Sequence, residues 1–264
     1  MTQDVLVGRG FGKADINEAF DALKEGDVLK IDPGEYTVEG YWDFSQAPVT
    51  LIGVGGDPAG IVLHLGQFAV EEGILLHIEN LTLVGDRKDT NVISMRPGSH
   101  LILKNVIVSA KVKTAPPLFI KGAQAEIDTS EIRWPEDGPA MVATDSSRAT
   151  VSGSIIECLQ VKEHADVGLD NSQVTTGILV SDGGVLHANN LYLANPTWRR
   201  AIRVENDGQL LADYFDLPDS GGMGVVNHSV FRINKSNVDD FHPFHVFMDQ
   251  DATVEFPGAT YSTH

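Results

Sequence analysis

Apolar and polar residues alternate along most of this chain in short runs, and the runs recur. A brief strand, a turn and a second strand read ISMRPGSHLILKNVIV at 93–108, LFIKGAQAEIDTSEI at 118–132 and MVATDSSRATVSGSII at 141–156. The same plan returns in LQVKEHADVGLDNSQV at 159–174, ILVSDGGVLHANNLYL at 178–193 and IRVENDGQLLADYFDL at 202–217, with shorter copies at 75–83, 231–238 and 253–260. The first strand of each clear copy begins at 93, 118, 141, 159, 178 and 202, so the steps run from 18 to 25 residues. Alternation with period two predicts strands with one buried face. The inward pairs are Ile93/Met95, Leu118/Ile120, Met141/Ala143, Leu159/Val161, Ile178/Val180 and Ile202/Val204. One coil cannot bury such a face alone, whereas stacked coils form a continuous core, and the step suits a β-solenoid.

The register predicts further columns. Asn80, Asn105, Asn171 and Asn190 align, with Thr129, Gly153 and Tyr214 in the same place elsewhere. Asn tolerates the left-handed backbone of a sharp bend, and stacked amides bond along the axis, so this column marks a bend between two sheets. Two outward columns follow: Arg96, Lys121, Thr144, Lys162, Ser181 and Glu205, and Glu79, Lys104, Asp128, Ser152, Asp170, Asn189 and Asp213. Such columns keep a flat sheet solvated and unaggregated; the acidic one also offers oxygen ligands of the type calcium takes.

Open solenoid ends expose core and strand edges, so caps are expected. Asp15 to Lys24 reads as an amphipathic helix, with Ile16, Ala19, Phe20 and Leu23 on one face, Asp15 and Glu18 placed as a capping box, and Gly26 at its end. At the other terminus Phe241, Phe244, Phe247 and Met248 form either a plug or a self-association surface. The expected organisation is one domain over 1–264: cap and first coil at 1–48, coils at 49–238, and a C-terminal cap at 239–264.

Composition narrows the partners. The chain has 264 residues, 26 of them glycine, which favours many turns. Its net charge of −18 argues against nucleic acid and anionic membranes. The single cysteine, Cys158, forms no intrachain disulfide and reads as a buried, inert thiol. No apolar run approaches the ~20 residues needed to span a bilayer, and Met1 to Gly12 lack a signal-peptide pattern, so a cytoplasmic location is expected. His242 and His245 flank Pro243 without a helix to align them, and no metal or cofactor is expected.

The segment INEAFDALKEGDVLKIDPGEYT (16–37) resembles the opening of pectin-lyase-like β-helix proteins: a helix, Gly-Asp, an apolar strand, then Pro-Gly-x-Tyr, here Gly26, Asp27, Pro33, Gly34 and Tyr36. VTLIGVGG (49–56) is similar to the strand and turn that follow in that group. The resemblance implies an all-β fold, a single-stranded right-handed parallel β-helix with an N-terminal capping helix. That superfamily includes pectate lyases, pectin methylesterases, polygalacturonases, phage tailspikes and non-enzymatic scaffolds, so fold leaves function open. Asp239–Asp240 lacks the companion motifs of polygalacturonases, the methylesterase motif is absent, and Arg199, Arg200 and Arg203 lack the lyase spacing.

Longer connections at 84–92, 109–117, 133–140, 194–201 and 218–225 would wall an extended ligand if they shared an edge. On them, Trp134 and Trp198 are candidates to stack on sugar rings, Asp86, Glu136 and Asp137 to act as acid or base, and Arg199 and Arg200 to neutralise a carboxylate. The competing reading is that Trp134 packs its loop down and the charges are solvated. The expected function is a non-enzymatic module, intracellular or part of a longer chain, presenting a rigid face to a protein or glycan. The alternative is a polysaccharide lyase or glycoside hydrolase, and a trimeric fibre part is a third reading.

Overall fold

The computed structural model describes residues 4–8, 12–45, 48–112, 115–134, 138–194, 202–216, 223–234, 246–248, 251–256 and 259–262. It shows an all-β chain of short parallel strands wound as a β-solenoid, with almost no helix. The chain divides into two compact units, Met1–Gly138 and Pro139–His264.

In the first unit, one strip of sheet stacks Asp4–Val7, Val28–Ile31, Val49–Gly53, the opening halves of Leu75–Gly85 and His100–Ala110, and Gln124–Asp128. The two eleven-residue strands bend at Asn80 and Asn105, whose φ values are 58° and 53°. Their closing halves pair on into a second strip, with Ile61–Val70 on one side and Glu131–Ile132 on the other. A third strip pairs Trp42–Phe44 with Phe68–Val70, Ile93–Met95 and Leu118–Ile120. The inward residues, among them Leu29, Leu51, Leu76, Leu101, Phe68, Ile93 and Leu118, are buried, as period-two alternation requires.

The second unit repeats the plan. Its first strip is Arg148–Ser152, Asp166–Asp170, Val185–Asn189, Gln209–Ala212, Val230–Ile233 and Thr253–Phe256. A third strip runs from Met141–Thr144 through Leu159, Ile178, Ile202 and Met223 to Val246–Met248. Phe247 and Met248 therefore continue a coil, because their strand pairs in parallel with Met223–Val225. Phe241 and Phe244 lie outside the described residues. Ala259–Ser262 turns back antiparallel on Thr253–Phe256 and pairs with that strand.

The aligned Asn column is a bend with a shared backbone conformation. Thr129, Gly153, Asn171 and Asn190 also take φ of 47–55°. Asn105 Nδ2 donates to Asn80 Oδ1 at 2.8 Å, and Asn190 Nδ2 to Asn171 Oδ1 at 2.7 Å. Each amide satisfies the next at the strand spacing, and a residue without that side chain contributes only its backbone. Tyr214, aligned by sequence, is not among the positive-φ residues.

The helix α1 covers only Ile16–Asp21. Asp15 caps it by accepting from the Asn17 N–H at 2.8 Å, so the reciprocal Glu18 capping box is not what closes the end. Helix geometry stops before Lys24 because the buried Asp27 carboxylate takes the Lys24 N–H at 2.9 Å, turning the chain into the first coil. Ile16, Ala19 and Phe20 form the buried face.

Candidate functional site: the open polar sheet of the second unit

Two of the longer connections in the first unit share an edge. The 86–92 and 111–117 connections both join the second strip to the third, and Asn91 Nδ2 donates to Pro116 O at 2.7 Å while the Val92 N–H donates to Pro117 O at 3.0 Å. Asp86 is exposed there. Trp134, by contrast, is only 5% exposed. Gly138 lies against it so closely that an added Cβ would stand 2.8 Å from the indole Nε1. Glu136, Asp137, Trp198, Arg199 and Arg200 lie outside the described residues.

The first strip of the second unit has the opposite character. Its outward residues follow the pairing register, with Ser152, Asp170 and Asn189 in one column and Thr150, Gly168, His187, Leu211, Arg232 and Glu255 beside it. Most of these side chains are exposed. Asn189 Nδ2 donates to Asp170 Oδ1 at 2.8 Å, and Asn234 Nδ2 donates to Asp213 Oδ1 at 2.7 Å. Each pair holds its carboxylate in one orientation and leaves further acceptor sites on it. Arg232 hydrogen-bonds Glu255, which raises the guanidinium pKa and lowers that of the carboxyl, so both stay charged.

Tight turns keep this strip uncovered along one margin. Asp145–Ser146, Glu163–His164, Asp182–Gly183, Asn206–Asp207 and Asn227–His228 all take positive φ, and each connection is only three or four residues long. Their backbones are laddered, with Ser146 N–H to Glu163 O at 2.9 Å and Gly183 N–H to Asn206 O at 3.0 Å. The Asn206 amide donates to Asp182 and the Asn227 amide to Asn206, at 3.1 and 2.9 Å. This second ladder has no single-residue signature in the sequence, because its positions carry Asp, Ser, Glu, His, Gly and Asn by turns. The signal was a polar residue two places before each small buried residue, Ser147, Ala165, Gly184, Gly208 and Ser229.

Cys158 is fully buried on the inward side of its strand. Burial pushes its thiol pKa up to about 12, against a lowering hydrogen bond from Thr176 and with a raising contribution from the Glu157 charge. The folded thiol keeps its proton where the unfolded one, at an ordinary 9.0, loses it. The stability this adds is complete below pH 9.0 and is lost as pH rises towards about 12. Urea midpoints measured at roughly pH 8 and 10.5 should therefore fall more for the native chain than for Cys158→Ala. Equal slopes would show that the thiol does not titrate late.

Among the described residues, no helix is long and apolar enough to cross a membrane, and no group of three or more His, Cys, Asp or Glu is placed to hold a metal ion. The fold and this sheet define a parallel β-solenoid with an open, hydrogen-bonded polar face. No protein-family model matches the chain. No curated protein matches it either. Among solved structures it is similar to a PL6 family alginate lyase, AlyGC, at 12% identity and a TM-score of 0.38, over 96% of this chain and 39% of that one. The chain thus spans well under half of that protein's length.

Proposed function

We propose that the chain is a non-enzymatic binding module whose second unit presents this polar sheet as a rigid face to a glycan or protein partner. The observation that carries the reading is the pair of side-chain bonds, Asn189 to Asp170 and Asn234 to Asp213, on an uncovered sheet. Side chains already held in place lose less freedom when a partner docks, so the cost of ordering them is reduced. Carboxylate and amide groups repeated at about 4.8 Å per strand suit a partner rich in hydroxyl groups and itself repetitive. A glycan chain running across the strands meets both conditions.

The test is retention of the protein by immobilised acidic and neutral polysaccharides, with and without calcium, alongside assays for new reducing ends and unsaturated products. Retention without product is expected. The double variant Asp170→Arg/Asp213→Arg should weaken it by at least about tenfold, the effect of losing ~1.4 kcal/mol. Product formation would replace this reading with a lyase or hydrolase. Retention indifferent to the double variant would move the face elsewhere.

A further inference from the structure

The first unit contains a cleft that the sheet reading does not use. It lies between the end of α1 and the strand Gly34–Phe44, encloses about 530 Å³, and is lined by Phe20, Asp21, Leu23, Lys24, Trp42 and Asp43, with Glu25, Phe44, Ser45 and Val49 completing it. That volume falls within the range of small-ligand sites, about 300–1,000 Å³.

Both walls are fixed. Asn17 ties the helix to the strand through two bonds: its Nδ2 donates to Thr37 O at 3.1 Å, and its Oδ1 accepts the Glu39 N–H at 2.8 Å. The floor of the adjoining turn is held by the Gly26 N–H bond to Pro48 O, 2.9 Å, and by the Asp27 cap of Lys24. The cleft therefore does not close by a simple slide of the helix.

Trp42 supplies the aromatic surface. Its Nε1 donates to Glu39 O at 3.1 Å, and Phe20 packs against its ring at 4.9 Å between centroids, so the indole is anchored at its edge and backed by a buried ring. Phe44, also buried, packs 6.5 Å from Phe20. Asp21, Glu25 and Asp43, all exposed, also line the cleft, and Lys24 is the one basic residue in its lining. The strand reaches this position through an irregularity in its pairing between Val38 and Tyr41, where Gly40 takes φ of 89°.

An indole ring beside an excess of carboxylates attracts a cation by ring quadrupole and by charge together. The chain's net charge of −18 draws cationic partners toward it over longer range. We infer that this cleft docks a basic peptide segment, with one Arg or Lys side chain laid against Trp42 and bonded to the carboxylates of Asp43, Asp21 and Glu25. The inference stands apart from the polar sheet, and neither depends on the other.

The experiment is a titration of a labelled hexa-arginine peptide by fluorescence anisotropy at physiological salt, which screens diffuse attraction. Asp43→Asn/Glu25→Gln alters exposed side chains only and is compared with Asp86→Asn/Asp89→Asn, which removes the same charge from the exposed 86–92 loop. The cleft pair should weaken binding at least tenfold and the loop pair less than twofold. Trp42→Leu, with folding checked by circular dichroism, should match the cleft pair. Equal weakening by the two charge-matched pairs, or no measurable binding, would overturn the inference. So would displacement of the peptide by a neutral cello-oligosaccharide, which would assign the cleft to a glycan.

Discussion

Phe68→Ala should cost the protein about 3–5 kcal/mol of stability, the range for emptying a large buried aromatic site. Phe68 is fully buried and sits 5.2 Å from Phe44, edge to face, and 5.7 Å from Phe20. Its neighbours in register are Trp42 on one side and Ile93 on the other. All of them belong to hydrogen-bonded strands or to the tethered α1, so the hole left by the ring cannot collapse. The loss combines reduced burial, the aromatic contacts and the cavity itself. Chemical denaturation of the variant against the parent measures it, with Tyr41→Ala as the reference, since Tyr41 is 49% exposed and should shift stability by less than about 0.5 kcal/mol. A loss below about 1 kcal/mol for Phe68→Ala would mean that the cap does not pack on the coil as described.

Gly53→Ala should destabilise by about 2–3 kcal/mol, at the upper end of ordinary overpacking. A Cβ at Gly53 would stand 1.9 Å from the carbonyl oxygen of Asn80 and 2.7 Å from Ile61 Cδ1. The side chain could turn away, but the carbonyl belongs to a residue at φ 58° within the Asn bend. Moving it would disturb the hydrogen bond that the Asn105 side-chain amide donates to Asn80 Oδ1. Gly60→Ala is the matched control, because its added methyl meets nothing within 4 Å. The difference between the two denaturation midpoints measures the steric term alone, and equal midpoints would show that the Asn80 turn yields freely.

These two residues show where sequence reasoning stopped. The stretch Ile61–Val70 alternates cleanly only through Leu65, after which Gly66, Gln67, Phe68, Ala69 and Val70 are all buried. A run buried on both faces carries no periodicity, so neither Phe68 nor the coil it belongs to stood out. Trp42 is hidden for a related reason: Gly40, at φ 89°, interrupts the alternation just before it. Of the seven candidate site residues, only Asp86 and Trp134 fall among the described residues, Asp86 exposed and Trp134 in a buried position that its aromatic character and flanking proline could not distinguish from an exposed one.

What the sequence by itself determined is the repeat. Inward pairs such as Leu159/Val161 and Ile178/Val180 pair strand on strand as the spacing required, and Asn80, Asn105, Asn171 and Asn190 take the left-handed bend. Both are local properties, because alternation and turn chemistry are written in neighbouring residues and copied from coil to coil. The tertiary structure alone decided which outward columns stand open and which are covered, and that α1 ends early enough to leave a cleft beside Trp42. The second of those outcomes depends on contacts outside the repeat, such as Asn17 of the cap helix reaching Thr37, whose meeting no periodic pattern encodes.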